Sequence, residues 1–143
     1  MIASRSLSDL LPQVSAKAYS LLAMADQEGI PLIVTSTYRD FESQGRLYAQ
    51  GRALPGSIVT RAKPGMSWHN WRRAFDIVPV INGKARWSTQ GIDRDHWLKV
   101  GAMGQSIGLE WGGNWTTIKD MPHFQLTEGL TLLGLLKQFP QGL

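Results

Sequence analysis

Apolar residues near the start of the chain recur three and four positions apart. Leu7, Leu10, Leu11, Val14, Ala18, Leu21, Leu22 and Ala25 form one stripe, which predicts an amphipathic helix over about 8–28. Pro12 must fall in its first turn, where the missing N–H costs little, and Gly29 followed by Pro31 stops it. Residues 30–35 are a short β-rich apolar run and read as a buried strand. Asp40 is placed to cap a second helix over FESQGRLYAQ, with Gly51 as its terminator. Residues 73–80 alternate as a strand, Asn82-Gly83 is a strong hairpin signal, and 84–87 can return. A third helix is expected over about 92–107, with Gly101 and Gly104 on one side to permit close packing. Residues 123–126 read as a short strand and the leucine-rich 128–139 as a closing helix. Helices mixed with short strands and a hairpin signal make this α+β. No repeat or linker divides the chain, so 1–143 is expected to be one domain.

The segment between the second helix and the hairpin, GRALPGSIVTRAKPGM at 51–66, is too long to be a mere connector. Loops of that length in small domains are often functional. At 143 residues, with 43% hydrophobic and 18% charged residues, the chain can bury a real core and does not have a disordered composition. No run approaches the roughly 18 apolar residues that a membrane span needs, and LTLLGLLKQF at 130–139 is far too short. No stable membrane insertion is expected. The N-terminus, MIASRSLSDLLPQ, lacks the apolar core of a signal peptide. A formal charge of +4 favours an anionic partner: nucleic acid, an acidic membrane surface or an anionic wall polymer. The basic residues are scattered, however, and the longest cluster is Arg72-Arg73. With no basic stripe interleaved with aromatics, no nucleic-acid partner is expected.

The chain has no cysteine and three histidines, so a metal would have to be held by His, Asp, Glu or water. In 67-SWHNWRRAFD-76, His69 precedes Asp76 where a loop enters the strand. Strand alternation puts Asp76 between apolar neighbours and predicts substantial burial, which is costly for a carboxylate unless it is paired or bound to a metal. Two arrangements fit this stretch alone. His69 and Asp76 could share a metal, or Asp76 could pair with an arginine such as Arg39 while His69 is a loop residue. In 120-DMPHFQL-126, Pro122 biases Met121 to extended geometry and fixes the approach to His123, with Asp120 three residues ahead across a bend. Two histidines and one carboxylate would leave a position for water, the arrangement of an open catalytic site.

SWHNWRRAFD is similar to the S-x-H-x-x-G-x-A-x-D signature of the zinc peptidases related to D-Ala-D-Ala carboxypeptidases (VanY-type, peptidase family M15). The segments 36-STYR-39 with Gln44 and Leu47-Tyr48, 109-LEWGGNW-115 and 120-DMPHF-124 match further motifs in the same order, over roughly 30–126. The chain most resembles the phage endolysin branch, whose members are L-alanyl-D-glutamate endopeptidases of peptidoglycan. The resemblance implies a small antiparallel sheet flanked by helices. It also implies a zinc ion on His69, Asp76 and His123, with Asp120 as general base. Arg39 would bind a substrate carboxylate or the oxyanion, Gln44 would contact substrate, and Ser67 would contact substrate or support the first ligand. Trp111, by residue type, either lines the cleft and contacts substrate or belongs to the core. The expected protein is a monomeric catalytic domain without a separate wall-binding module, made in the host cytoplasm and acting on peptidoglycan at lysis. A D-Ala-D-Ala carboxypeptidase of the same family, or a non-catalytic wall-binding module, are the alternatives.

Two positions depart from the pattern. Arg72 stands where the signature has glycine, a place that calls for a tight turn or close backbone approach, and is expected to point outward toward an anionic polymer. Thr37 stands where the arginine motif often has glycine. His96, between Asp95 and Trp97, is expected on the surface, and Glu110 is expected to be a surface charge rather than the support of a ligand histidine. Ser67, His69 and Asp76 do not make a serine triad, because no nucleophile elbow accompanies them.

Overall fold

The computed structural model describes all residues, 1–143. A short 3-10 turn at Leu7–Asp9 leads into α1, Pro12–Gln27, with the proline in the first turn as its chemistry requires. α1 ends at Gly29, whose φ is +75°. The Gly29 N–H bonds the Asp26 carbonyl and the Ile30 N–H the Ala25 carbonyl, which satisfies two carbonyls that the helix end leaves free. Ile30 is therefore used in closing the helix, and β1 starts later than the apolar run suggests, at Leu32–Ser36. α2, Phe41–Ala49, is capped by the Asp40 carboxylate, which accepts the Ser43 N–H at 2.8 Å.

β2, Ala74–Ile81, turns at Asn82 and Gly83, both at positive φ, into β3, Lys84–Ala85. The return strand is shorter than expected, and Trp87 beyond it is 54% exposed. α3, Gly91–Ser106, matches the third expected helix. β4, Glu110–Trp111, was not legible, because two residues carry no periodicity. β5 is His123–Gln125. The closing helix α4 covers only Leu132–Gln138. Glu128 and Gly129 both have positive φ and form a turn, after which Thr131 caps α4 by accepting the Gly134 N–H at 3.0 Å.

The sheet is antiparallel in the order β1-β2-β5-β4, with β3 also on β2. This agrees with the expected α+β class and the small sheet flanked by helices. α1 and α3 pack together, and their buried side chains, Val14, Leu21, Trp97 and Val100 among them, join Phe75, Ile77 and Phe124 from the sheet in one core. Phe75 and Phe124 stack across β2 and β5 at 5.7 Å. The same pairing sets Asp76 directly opposite His123, and on the other edge of β2 opposite Ser36, where a bulge in β1 shifts the register. No helix is long and apolar enough to cross a membrane.

Gly101 and Gly104 behave as their spacing suggested, meeting the rings of Trp111 and Phe124 respectively. A Cβ on Gly101 would lie 2.5 Å from the Trp111 indole. Gly101→Ala should gain about 1 kcal/mol of helix propensity yet lose more to overpacking, roughly 1–3 kcal/mol. The expected net loss would appear as a lower urea midpoint with an unchanged slope.

Candidate metal and catalytic site

The chain enters β2 through a 3-10 turn, Trp68–Trp71, whose polar residues are occupied in holding it. Ser67 Oγ accepts the His69 N–H at 3.3 Å, and Asn70 Oδ1 accepts the N–H groups of Gly65 and Ser67. Asn70 Nδ2 donates to the Arg39 carbonyl at 3.0 Å, and the Arg39 N–H bonds the His69 carbonyl at 3.1 Å. These bonds fasten the His69 turn to the segment that follows β1.

His69 is buried, and its Nδ1–H donates to the Thr37 carbonyl at 2.7 Å. That bond fixes the tautomer and leaves the Nε2 lone pair facing Asp76 Oδ1 at 3.4 Å. His123 is arranged the other way round. Its Nε2–H donates to Gln125 Oε1 at 2.7 Å, so that Nδ1 faces Asp76 Oδ1 at 3.2 Å. Gln125 Nε2 in turn donates to Glu110 at 2.8 Å, and Thr127 Oγ1 donates to the other oxygen of the same carboxylate.

The three facing atoms lie within 4.8 Å of one another. Ligands about 2.0–2.1 Å from a tetrahedral zinc stand roughly 3.3 Å apart, so the 3.2 and 3.4 Å separations suit such an ion. The donor set suits it as well: two imidazole nitrogens with free lone pairs and one carboxylate oxygen. The arginine alternative for Asp76 does not hold. Arg39 forms no ion pair with Asp76, and its guanidinium instead donates to Gln44 Oε1 at 3.2 Å and toward Ser67 Oγ at 3.5 Å.

Burial alone would raise the Asp76 carboxyl, but the two imidazoles that face it outweigh burial and hold its pKa well below the carboxylate range. The side chain is 24% exposed, less enclosed than its apolar neighbours suggested, because one side opens to a cleft. For His123 burial lowers the pKa and Asp76 raises it, with a net rise. For His69 burial prevails, and its pKa falls. Asp120 is raised, chiefly by burial, with the charge of Asp76 adding to the effect. Burial lowers Arg39, against the pull of Asp76 and Asp120.

The cleft has a volume of about 680 Å3, and His69, Asp76 and His123 line it together with Arg39, Ser67 and Asp120. Asp120 is held by backbone: its N–H bonds the Gly112 carbonyl at 3.0 Å and its carbonyl accepts the His123 N–H at 3.2 Å. A Cβ at position 112 would collide with the Asp120 carbonyl, so this close approach requires glycine.

Several expectations are corrected. Gln44 is fully buried and does not line the cleft; it spans Arg39, Asn70 and the Ala62 carbonyl, organising the wall instead of touching substrate. Trp111 is a core residue, its indole N–H bonded to the Met121 carbonyl at 2.8 Å. The indoles that line the cleft are those of Trp68 and Trp115, the latter with its ring 5.1 Å from that of His123. Glu110 is exposed, as expected of a surface charge, and it also supports His123 through Gln125. The link depends on Glu110 pairing Gln125 across β4 and β5, and a two-residue strand leaves no signal of that pairing in the sequence. His96 is half-buried, and its Nδ1 is enclosed without a partner.

Arg72 does not reach outward. Its φ of 60° is the left-handed geometry for which glycine is suited, and its guanidinium lies 3.8 Å over the Tyr38 ring while donating to the Asp9 carbonyl at 2.7 Å. Arg72→Ala should keep the backbone strain and lose both contacts, a cost of about 1–3 kcal/mol. Arg72→Gly should lose the contacts but relieve the strain. Denaturant melts are expected to rank wild type first, glycine second and alanine last, and binding to an anionic polymer should be the same in all three.

A family model described as D-alanyl-D-alanine carboxypeptidase matches residues 60–126. The peptidoglycan L-alanyl-D-glutamate endopeptidase CwlK of Bacillus subtilis is 37% identical over 124 residues, which cover 83% of this chain and 74% of that protein. The L-alanyl-D-glutamate peptidase of Listeria phage A118 is 30% identical over 125 residues, covering 85% of this chain and 41% of that protein. The solved structure of the Serratia marcescens L-Ala D-Glu endopeptidase ChiX superposes with a TM-score of 0.62 at 22% identity, over 97% of this chain and 92% of that one. The vancomycin-resistance D,D-pentapeptidase VanY, solved with Zn(II), superposes at 0.59 and 18% identity, over 81% of this chain and 71% of that one. At these identities the two structures speak to the fold.

Proposed function

The chain belongs to the D-alanyl-D-alanine carboxypeptidase family of peptidases, family M15, and from that premise we propose that it is a zinc-dependent peptidoglycan endopeptidase that cuts the L-Ala–D-Glu bond of the stem peptide. The observation that carries this reading is the convergence of His69, Asp76 and His123 on one cleft with Asp120 and Arg39 beside them. The choice of bond follows two relatives named for L-alanyl-D-glutamate cleavage. The phage origin of one of them supports a role in host lysis; in this reading the protein is made in the host cytoplasm and acts on the wall as a monomer.

In this reading His69 Nε2, Asp76 and His123 Nδ1 would hold zinc. Zinc bound there lowers the pKa of a water molecule and polarises a carbonyl. Asp120 accepts a proton from the attacking water as its oxygen bonds to the scissile carbonyl carbon, then delivers it to the leaving nitrogen as the C–N bond breaks. A carboxyl whose pKa is raised by burial is suited to both halves of that task. Arg39, oriented by Gln44 and Ser67, offers its charge to a substrate carboxylate or to the developing oxyanion. The carboxypeptidase alternative would use the same groups on a terminal D-Ala. A non-catalytic module would have no use for Asp120 beside the triad.

Mass spectrometry of digested sacculi tests the function. Chelator-sensitive fragments that begin at D-Glu are expected, and free D-Ala would move the enzyme to carboxypeptidase chemistry. Asp120→Ala should lower kcat by about 10²–10⁴-fold while zinc content, read by elemental analysis, stays at one ion per chain. Loss of zinc in that variant would make Asp120 a ligand and not the base. Gln125→Ala, which frees His123 Nε2, should weaken zinc about 10–100-fold in a chelator competition.

A further inference from the structure

Cutting between L-Ala and D-Glu imposes a constraint on one side of the bond. In peptidoglycan L-Ala is joined to the lactyl group of N-acetylmuramic acid, so the sugar begins within roughly two residue lengths, ~7 Å, of the cut. A sugar that near must rest on the enzyme beside the triad.

Three further cavities adjoin the cleft. One of about 340 Å3 shares Arg39 and Leu47 with it and carries Arg46. Another of about 420 Å3 meets it at Asp120 and carries Arg94 and Lys119. The third, of about 640 Å3, shares Thr60, Ala62 and Trp115 with the cleft and runs between residues 60–62 and 114–118. The first two each bring two cations to the space, which suits the carboxylates on the D-Glu side of the cut. The third has no carboxylate and a single cation, Arg61. It offers the Trp115 ring, the Asn114 amide and the hydroxyls of Thr116 and Thr117, all exposed. Trp115 marks the junction, since its ring packs against His123 and is still 38% exposed. An aromatic face covers the C–H face of a sugar ring, and neutral amides and hydroxyls bond N-acetyl and hydroxyl groups.

We propose that this third groove is the glycan subsite: the N-acetylmuramic acid attached to L-Ala lies along Trp115, between residues 60–62 and 114–118. The assignment rests on the endopeptidase reading, because an enzyme that trims the far end of the stem peptide has no sugar next to its metal.

The test compares kcat/KM on a disaccharide–tetrapeptide with that on the same tetrapeptide, sugar removed and N-acetylated. Wild type, Trp115→Ala and the double variant Asn114→Ala/Thr117→Ala are measured side by side. Wild type should favour the glycan-bearing substrate by on the order of tenfold, the size expected of an aromatic face and one or two net hydrogen bonds. Both variants should bring that ratio toward one. Trp115 touches His123, so the double variant, which leaves ring and histidine in place, decides the case if Trp115→Ala loses zinc or folds poorly. Equal rates in wild type, or a full preference retained by the double variant, would overturn the subsite alone. No cleavage at L-Ala–D-Glu in either substrate would overturn the endopeptidase reading, and the subsite with it.

Discussion

One carboxylate, Asp76, sits on the central strand between two buried imidazoles, and the surrounding structure is arranged to hold them in that relation. Bringing three ionisable groups together away from water is unfavourable unless each keeps a partner. Each imidazole has one on its outer nitrogen: a backbone carbonyl for His69, a glutamine backed by glutamate for His123. Both partners come from strands or segments adjacent to β2. The sheet thus sets ring orientation as well as position, and the inward nitrogens are left with lone pairs that no protein proton satisfies. A cation at their centre would answer that electrostatic demand.

The supports come from distant parts of the sequence. The His69 turn is tied to the segment after β1 by Asn70 and Arg39, Thr37 follows the bulge in β1, and Glu110 arrives on a two-residue strand. β2 and β5 contribute Asp76 and His123 on one face and Phe75 and Phe124 on the other. The stacking of those two rings therefore fixes the register that puts carboxylate opposite histidine. A slip of one residue would exchange the core face for the site face.

Where the chain has strong periodicity, its structure was legible before folding was considered. α1, α3 and the β2–β3 hairpin lie where the apolar stripe, the paired glycines and Asn82-Gly83 indicated. The sequence makes α4 look longer than it is, because leucines on both sides of Glu128-Gly129 look continuous, whereas two positive φ values break the helix there. The converging side chains were legible from residue type and from motif order. Their supports were less so, since a glutamine in a motif reads as a substrate contact until burial shows it facing inward. Trp111 and Trp115 sit in one motif on opposite sides of a 3-10 turn, and composition does not tell which of them is core.

Arg72 shows how a signature position can tolerate a residue that its backbone disfavours. The left-handed turn is required because the chain must leave the His69 turn and enter β2 at once. Glycine meets that requirement by lacking a Cβ. Arginine meets it by recovering energy elsewhere, through Tyr38, the Asp9 carbonyl and the Leu11 N–H that its own carbonyl accepts. Those contacts bind the turn to the segment after β1 and to the residues just before α1, of which glycine could keep only the backbone bond to Leu11. The substitution therefore transfers part of the site's rigidity from backbone freedom to side-chain packing. It does so on the side of the turn away from the cleft, which is why the triad geometry is undisturbed.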